Sequence, residues 1–492
     1  MTALRVPGKT SPLHVTRRPE RFVSDDRRVI TRLFLPGDEA RVRAVIDRVL
    51  HLDEEQVRVL LGRVYRDFRA RHRNLEEVFQ THFDAAKGLV HNPDQLSRDR
   101  QLLIGAYFTM EYSFESAALF NPSIVPHPDQ DNLPEGSVRF LMSLRATGEG
   151  HVSSIVFRTG VIGPDGAIHF NPAARFAHSP RPIQDKIYDK RLVFLKLIEM
   201  GAYNEEAQRV LDGLEDEFTF DHLNRAIDIV RSDMDNPEAF NETANNILWL
   251  ARSNYHLRMG TDCDPSEIVI FPASENESQG IEDVRLVRFI NDDGSATYYG
   301  TYTAYNGFRI LPQLLETHTF TILRIHTLNG RYAQNKGMAL FPRKVGGWYM
   351  MISRLDGENL YLMRSDNVYF WNEAAKLQSP RFPWEFVQIG NNGSPIETDA
   401  GWLLLTHGVG PVRQYCIGAS LLDKNDPTRV IGQLKDPLIV PNDEERDGYV
   451  PNVVYSCGAM VHGEQLIIPY AVSDSATTFA SVPLNQVLAN MI

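Results

Sequence analysis

The stretch GIEDVRLVRFINDDGSATYYGTYTAY, residues 280–305, decides the fold class of this chain. An apolar run at 284–289 is followed by the turn-forming tripeptide Asp-Asp-Gly at 292–294. A second run, rich in aromatic and β-branched residues, begins at Tyr298. Two such runs around a turn signal are typical of an antiparallel β-hairpin.

The same pattern recurs towards the C-terminus. Turn signals stand at 346–347, 399–401 and 462–463, and each leads into an apolar run. Short antiparallel units repeated in this way predict a mainly β chain, either a β-propeller or a β-sandwich. A propeller would bring loops from distant parts of the sequence to one central funnel.

Helical patterns interrupt the β pattern twice. Apolar residues recur at helical spacing between residues 40 and 68, where Asp53-Glu54-Glu55 places acids at a helix start, and again between 183 and 259. We therefore divide the chain into four regions. These are an N-terminal arm and helical region (1–100), a first propeller blade region (101–180), a helical insertion (181–262) and the remaining propeller (263–492).

Composition excludes several classes of protein. The 492 residues are too many for one compact core. A net charge of -12 argues against nucleic acid as the main partner. Three cysteines without metal-type spacing fit a reducing cytoplasm. The chain shows no apolar stretch near the roughly 20 residues of a membrane span and no secretory signal pattern at its start, so the sequence predicts a cytoplasmic protein without a membrane partner.

Five short phrases place charged or polar residues at the edges of apolar runs. They are Gly-Ile-Glu-Asp-Val-Arg (280–285), Asn-Lys-Gly (335–337), Ser-Arg-Leu-Asp (353–356), Thr-His-Gly (406–408) and Ser-Asp-Ser (473–475). One acid among several basic residues suits a reaction in which a leaving group takes a proton while an anion attacks.

Asp283 is the strongest candidate for that acid. A carboxyl group at a strand entry inside a funnel is desolvated, which raises its pKa and suits it to donate a proton. The motif alone fits equally well a turn-forming aspartate that is ion-paired with Arg285.

The basic candidates are Lys336, Arg354 and His407. Arginine binds oxyanions through two parallel hydrogen bonds, and lysine adds a point charge. Each residue alone is more often an ordinary strand-end cation, but three together favour an anion site. No Walker loop, Gly-x-Ser-x-Gly elbow or His-Glu-x-x-His motif occurs, so neither a metal nor a cofactor is predicted.

A sugar site is the other expectation. Asp356 and Asp474 suit hydrogen bonds from sugar hydroxyls, with turn capping as the alternative. Asn121, Ser123 and Arg145, in the first β unit, could complete that site.

At these residues the chain resembles glycoside hydrolase family 130, the mannoside phosphorylases and related β-mannosidases. The phrases that carry the resemblance are FNPSIVP (120–126), GIEDVR (280–285), YTAY (302–305), NKGMALFPRK (335–344), GSPIET (393–398), GWLLLTHG (401–408), GYVPNVV (448–454) and YAVSD (470–474). The resemblance implies a five-bladed β-propeller. The added helices resemble those of longer members, among them the 1,2-β-oligomannan phosphorylases.

The resemblance also implies a reaction. In family phosphorylases, inorganic phosphate is the co-substrate: it attacks the anomeric carbon of a β-mannoside with inversion and releases α-mannose 1-phosphate. Asp283 matches the single catalytic acid, which is thought to protonate the glycosidic oxygen through the mannose 3-hydroxyl. Arg354 and His407 match phosphate-pocket positions, and Lys336 belongs to the same predicted pocket. The positions predicted around the bound mannose are Asn121, Ser123, Arg145, Arg285, Asp356 and Asp474.

Three departures from the family pattern keep alternatives open. Lys336 stands where shorter members have arginine, Gln388 where they have lysine, and Val284 where proline is usual. The leading hypothesis is phosphorolysis of β-1,2-linked mannooligosaccharides, with the linkage resting on the longer members.

The alternatives are a β-mannosidase, a mannosyltransferase that uses mannose 1-phosphate, and a non-catalytic glycan-binding propeller. The β-mannosidase would use water, with Glu282, Glu316 or Glu397 as the base. The helical regions would shape the acceptor end of the groove, form a homo-oligomer interface or simply pack on the propeller.

Overall fold

Strands dominate the computed structural model of the chain, which describes residues 13–183, 187–234, 236–260, 262–307 and 310–492. Strands account for 36% of the residues and helices for 25%, so the prediction of a mainly β chain is confirmed. Residues 1–12 of the predicted N-terminal arm lie outside the described residues.

Most strands belong to five antiparallel sheets of four to six strands. Sheet 1 contains Ala118–Pro126, Val138–Thr147, Ser153–Ile162, Ile168–Phe170 and Val269–Ile270. Sheet 2 contains Pro182–Ile183, Tyr255–Arg258, Ile281–Ile290, Ala296–Tyr305, Ile310–Thr317 and Ile322–Thr327. Sheet 3 contains Ala339–Leu340, Tyr349–Ser353, Leu360–Ser365 and Glu373–Gln378. Sheet 4 contains Gln388–Asn391, Ile396–Glu397, Trp402–Val409, Tyr415–Leu422 and Val430–Gln433. Sheet 5 contains Thr16–Phe22, Val454–Tyr455, Met460–His462, Gln465–Val472 and Ala476–Pro483.

Apolar clusters join neighbouring sheets. Side chains of sheets 1 and 2 share one buried cluster, and further clusters join sheet 2 to 3, sheet 3 to 4 and sheet 4 to 5. Another cluster joins sheet 5 back to sheet 1, where Ile467 and Phe479 pack with Phe140 and Met142. Each sheet therefore buries apolar side chains against two neighbours. Burial of this kind is the main source of stability in a β fold.

The hairpin predicted at 280–305 is present. Ile281–Ile290 pairs with Ala296–Tyr305, and Gly294 takes a left-handed backbone (φ 83°) in the turn between them. The pairing shifts register between Glu282 and Arg285, which marks a β-bulge at the start of the first strand. A bulge re-aims the side chains next to it.

Sheet 5 joins the two ends of the described chain. The strand Thr16–Phe22 lies at its edge and pairs with Ala476–Pro483, from Thr16 opposite Ser481 to Phe22 opposite Thr477. The neighbouring hairpin of the same sheet turns at Ser473 and Asp474.

Helices form two groups, each with an apolar core of its own. The first contains Glu39–Leu50, Glu54–Phe68, Leu75–Ala86 and Arg98–Tyr107; the second contains Lys190–Glu199, Glu205–Asp212, Phe220–Ser232 and Asn241–Arg252; Leu484–Ala489 follows sheet 5. Asp53 begins the helix Glu54–Phe68 through a capping box with Gln56, as the acidic run at that point predicts.

Two short antiparallel ladders lie outside the five sheets: Val29–Leu33 pairs with Thr109–Ser113, and Tyr188–Asp189 pairs with Glu217–Phe218. No helix in the described ranges has the length and apolar character needed to cross a membrane.

Candidate active site

Asp283 stands in the bulge of sheet 2 with a left-handed backbone (φ 60°). Such a conformation is uncommon for a residue other than glycine and is typical of functional sites. The Asp283 carboxylate contacts side chains of sheet 1: Asn121 Nδ2 donates to its Oδ1 at 2.7 Å, and Arg145 Nη1 lies 3.7 Å from the same oxygen. Arg285 Nη1 donates to the backbone carbonyl of Asp283 at 3.0 Å.

The cations around Asp283 decide its ionisation. Burial alone would raise the pKa of the carboxyl group, but the charges of Arg145 and Arg285, with smaller contributions from Asn121 and Lys336, hold the pKa below its ordinary value. The expectation of a raised pKa is therefore wrong for the free protein. The sequence also offered an ion pair with Arg285 as the alternative. In the structure the charges of Arg145 and Arg285 outweigh the effect of burial on the pKa of Asp283.

Glu282 links the two sides of the site. Its Oε1 accepts a hydrogen bond from Arg145 Nη2 at 3.0 Å, and its Oε2 accepts one from Lys336 Nζ at 2.7 Å. The sequence identified Glu282 only as a possible base for a hydrolase. In the structure its carboxylate instead binds two cations. Arg145 lies beside Asn121 and Asp283, and Lys336 lies in the chain just before the first strand of sheet 3.

Arg354 and His407 meet at the other end of the site. Arg354 Nη1 lies 3.1 Å from His407 Nε2, and His407 Nδ1 lies 2.9 Å from Asn392 Oδ1. Because the Asn392 oxygen can only accept, Nδ1 carries the ring proton and Nε2 accepts from Arg354. The Gln388 amide lies 3.3 Å from the same His407 Nε2 and beside Arg354 Nη1.

His407 is uncharged in this arrangement. Burial, followed by the charges of Arg354 and Arg285, lowers its pKa well below the ordinary value. The expectation of three cations is therefore wrong for His407. This residue lies beside Arg354, but its ring is neutral and accepts a hydrogen bond. The sequence around a single histidine cannot indicate that its pKa is lowered, because the lowering depends on guanidinium groups from two other sheets.

Tyr455 connects this end of the site to Asp283. Its hydroxyl accepts from Arg285 Nη2 at 2.7 Å, and its ring lies 4.9 Å from the His407 ring. The Nε atoms of Arg285 and Arg354 are both buried without a partner among the described residues. Sequence reasoning missed Tyr455 and Asn392. Each adjoins a family-like phrase, since Tyr455 directly follows 448–454 and Asn392 directly precedes 393–398, and this was the signal that could have found them.

Two predicted sugar-binding residues, Ser123 and Asp356, accept hydrogen bonds from neighbouring backbone groups. Ser123 is fully buried, and its Oγ accepts from the backbone N–H of Leu286 at 3.0 Å. Asp356 accepts four hydrogen bonds: from the backbone N–H of Glu358, from the backbone N–H and side chain of Asn359, and from the Tyr361 hydroxyl. These bonds outweigh the effect of burial and lower the pKa of Asp356. Its geometry is that of turn capping, the alternative raised by the sequence, and sugar contact stays a prediction for both residues.

Asp474 differs from Asp356. It lies with Ser473 in a left-handed hairpin turn (φ 48° and 52°), and no described residue donates a hydrogen bond to its carboxyl group. Burial, reinforced by the negative charge of Asp283, raises the pKa of Asp474 to about 6. The pKa values of Asp283 and Asp474 are thus displaced in opposite directions.

We expect Asp474→Asn to stabilise the protein at pH 7.5. The pKa of Asp474 is higher in the folded chain than in the unfolded chain, so ionisation of its carboxyl group opposes folding. The free energy of unfolding therefore falls as the pH rises from about 4 to about 6. A shift of this size corresponds to about 2–3 kcal/mol. The variant should show a higher melting temperature at pH 7.5 and a much smaller advantage near pH 4.5. An equal difference at both pH values would rule out titration of Asp474 as the cause.

Gly390 is required by the position of His407. A Cβ at residue 390 would lie 2.3 Å from His407 Cε1 and 2.4 Å from its Nε2. We expect Gly390→Ala to displace the buried ring and to lower stability by about 1–3 kcal/mol, measured by denaturant unfolding. Gly62→Ala is the matched control, because nothing lies within 4 Å of the added methyl group in the helix Glu54–Phe68. That control should be neutral or stabilising by about 0.5–1 kcal/mol. Equal effects of the two substitutions would contradict the role of Gly390.

Part of the chain is similar in sequence to known proteins. Residues 261–491 match the sequence model of glycoside hydrolase family 130, described as beta-1,4-mannooligosaccharide phosphorylase. The beta-1,2-mannobiose phosphorylase of Listeria innocua is 30% identical over 227 residues, which cover 44% of this chain and 62% of that protein. The 1,2-beta-oligomannan phosphorylase of Thermoanaerobacter sp. is 30% identical over 226 residues, covering 44% of this chain and 72% of that one.

A solved complex of the Listeria innocua enzyme with beta-1,2-mannobiose aligns with 77% of this chain and 92% of its own, at 19% identity and a TM-score of 0.44. The matched region spans less than two thirds of the Listeria innocua sequence but more than two thirds of the Thermoanaerobacter one. The chain belongs to glycoside hydrolase family 130.

Proposed function

We propose that this protein is a glycoside phosphorylase that cleaves β-1,2-linked mannooligosaccharides with inorganic phosphate. The products are α-mannose 1-phosphate and a shortened oligosaccharide, and the reaction is reversible. Membership of the family supports the chemistry, and the names of the two curated relatives support the β-1,2 linkage.

The observation that carries the proposal is the environment of Asp283. The Asp283 carboxylate lies among Arg145, Arg285 and Lys336, and Arg354 lies beyond them next to a neutral histidine. An inverting hydrolase needs a second carboxylate, about 6.5–9.5 Å from the acid, to activate water. A phosphorylase needs cations instead, because its nucleophile is already an anion.

The three glutamates named for a hydrolase are all engaged by other side chains. Glu316 accepts from the Tyr369 hydroxyl at 2.5 Å, and Glu397 pairs with Arg343 at 2.7 Å. Glu282 is held by Arg145 and Lys336. Asp474 is the one observation that favours hydrolysis, since its carboxyl group lacks a hydrogen-bond donor among the described residues and is electrostatically coupled to Asp283.

In the proposed mechanism, phosphate binds between Arg354 and Lys336. One of its oxygens forms a bond to the anomeric carbon as the bond from that carbon to the glycosidic oxygen breaks. Asp283 supplies the proton that the glycosidic oxygen takes up, through the 3-hydroxyl of the mannosyl unit, as the family resemblance implies. Asp283 is ionised in the free protein, so the negative charge of bound phosphate has a second role: it offsets the cations and raises the pKa of Asp283 towards the value an acid needs.

The proposed architecture is a five-bladed β-propeller in which the five sheets are the blades. Cyclic packing of the sheets supports it, because sheet 5 shares an apolar cluster with sheet 1. The site supports it as well, because every sheet or its adjoining loop supplies one part. Asn121 and Arg145 come from sheet 1, Asp283 from sheet 2, Lys336 and Arg354 from loops flanking strands of sheet 3, His407 from sheet 4 and Asp474 from sheet 5.

The deciding experiment is incubation with β-1,2-mannooligosaccharides with and without inorganic phosphate, reading mannose and mannose 1-phosphate separately. Mannose 1-phosphate formed only with phosphate is the expected result. Free mannose released at the same rate in both incubations would establish a hydrolase and direct attention to Asp474. Asp474→Asn would then be expected to stop release of mannose.

A further inference from the structure

Two exposed aromatic side chains stack on loops whose neighbouring residues contact residues of the candidate active site. The rings of His151 and Tyr449 lie 5.6 Å apart and 21° from parallel. Both side chains are exposed, Tyr449 to 72%. His151 belongs to the turn between two strands of sheet 1, whereas Tyr449 belongs to the loop between sheets 4 and 5. The His151–Tyr449 pair therefore bridges two separate loops at the surface.

The loop that carries His151 is fixed to the Asp283 side of the site. The Tyr112 hydroxyl donates to the backbone carbonyl of Glu149 at 2.6 Å, next to the left-handed residues Gly150 and His151. Two residues further on, Ser153 Oγ accepts from Arg145 Nε at 2.9 Å. Arg145 is the residue that pairs with Glu282 and lies near Asp283.

The loop that carries Tyr449 is fixed to the Asp474 turn. Val450 N–H donates to the backbone carbonyl of Ser473 at 3.1 Å, and Ser473 Oγ donates to the carbonyl of Glu445 at 2.7 Å. Gly448 approaches this turn so closely that a Cβ there would lie 2.5 Å from Ser473 Cβ. Tyr449 is thus held next to Asp474 by backbone contacts that leave its ring exposed.

From this placement we propose that the His151–Tyr449 pair is a binding platform for a mannosyl unit distant from the bond that is cleaved. The proposal rests on the proposed function, because it assumes a β-mannoside chain that leaves the site past these loops. Pyranose rings present a face of C–H groups, and such faces pack on exposed aromatic rings, whose large apolar area is otherwise in contact with water. Two rings pre-stacked on rigid loops offer that surface without a cost of ordering.

The platform predicts an effect that depends on chain length. In phosphate-free buffer, calorimetry should show that Tyr449→Ala weakens binding of β-1,2-mannotetraose by roughly three- to tenfold, whereas binding of β-1,2-mannobiose changes little. His151→Asn should act in the same direction, since asparagine tolerates the left-handed backbone but removes the ring. Tyr449→Phe should retain tetraose affinity, because stacking does not need the hydroxyl. Tyr107→Ala is the matched control, as Tyr107 is 49% exposed at the end of a helix in the first helical group.

Phosphorolysis assays on the same variants separate this proposal from the proposed function. Activity on mannobiose that survives in Tyr449→Ala, with a raised KM for tetraose only, supports both. An active enzyme in which Tyr449→Ala leaves both sugars unchanged, or affects both equally, overturns the platform alone. An inactive wild-type protein that still shows the chain-length-dependent loss of binding overturns the function and keeps the platform. Absence of sugar binding in the wild-type protein overturns both.

Discussion

Asp283→Asn is expected to reduce phosphorolysis by roughly a thousandfold, the usual contribution of a general acid. Asparagine cannot supply the proton, but its carbonyl oxygen can still accept the hydrogen bond from Asn121 that Asp283 Oδ1 accepts at 2.7 Å. Arg145 retains its pairing with Glu282 at 3.0 Å, so the surrounding cations stay in place. Sugar affinity should therefore remain within a few-fold of wild type.

The measurement is kcat by release of mannose 1-phosphate, together with calorimetric titration of mannobiose. Asp293→Asn is the matched control: it lies at the far end of the same hairpin, is exposed and should leave both quantities unchanged. If sugar affinity instead fell in step with turnover, Asp283 would be a binding or structural residue. The proton would then have to come from another group, and Asp474 would be the first to test.

Arg354→Ala is expected to raise the KM for phosphate by about ten- to a hundredfold while leaving that for the oligosaccharide nearly unchanged. A charge-assisted hydrogen bond to an anion contributes about 1.5–3 kcal/mol, which corresponds to that range. Arg354 is suited to this role because its described side-chain contacts are with His407 and Gln388, which are uncharged, so no carboxylate competes for it.

Initial rates at varied phosphate and fixed oligosaccharide, and the reverse, separate the two KM values. The control is Arg364→Ala, which removes an exposed arginine that pairs with Glu373 on sheet 3. That surface pair should contribute little, so both KM values should be unchanged. Parallel increases of both KM values in Arg354→Ala would remove Arg354 from the phosphate pocket.

Sequence reasoning reached the mainly β class of the chain because the signal for it is local. The hairpin at 280–305 and the helix that Asp53 begins depend on neighbouring residues, and the structure confirms both. Phrases at strand edges also predicted candidate site residues, and the structure brings Asp283 into contact with two of the others, Asn121 and Arg145. Their ionisation did not, because it depends on contacts between sheets: the pKa of Asp283 is lowered by Arg145, 138 positions away in the sequence (283 minus 145).

The role of individual oxygen atoms was equally hidden. Asp356 and Asp474 are both aspartates in turn phrases, and the sequence assigned them one role. In the structure the oxygens of Asp356 accept four hydrogen bonds, while no described residue donates one to Asp474. Whether a turn satisfies its own aspartate depends on its backbone dihedral angles, which are set by the strands on either side.

The pairing of Thr16–Phe22 with Ala476–Pro483 has a consequence for biosynthesis. A ribosome releases the first of these strands hundreds of residues before the second, so its partner is absent during most of translation. The hairpin that carries Asp474 emerges together with that partner strand. The candidate active site therefore cannot be complete until this hairpin has been made, and a chain truncated before Ser473 would lose both Asp474 and the partner of the strand Thr16–Phe22.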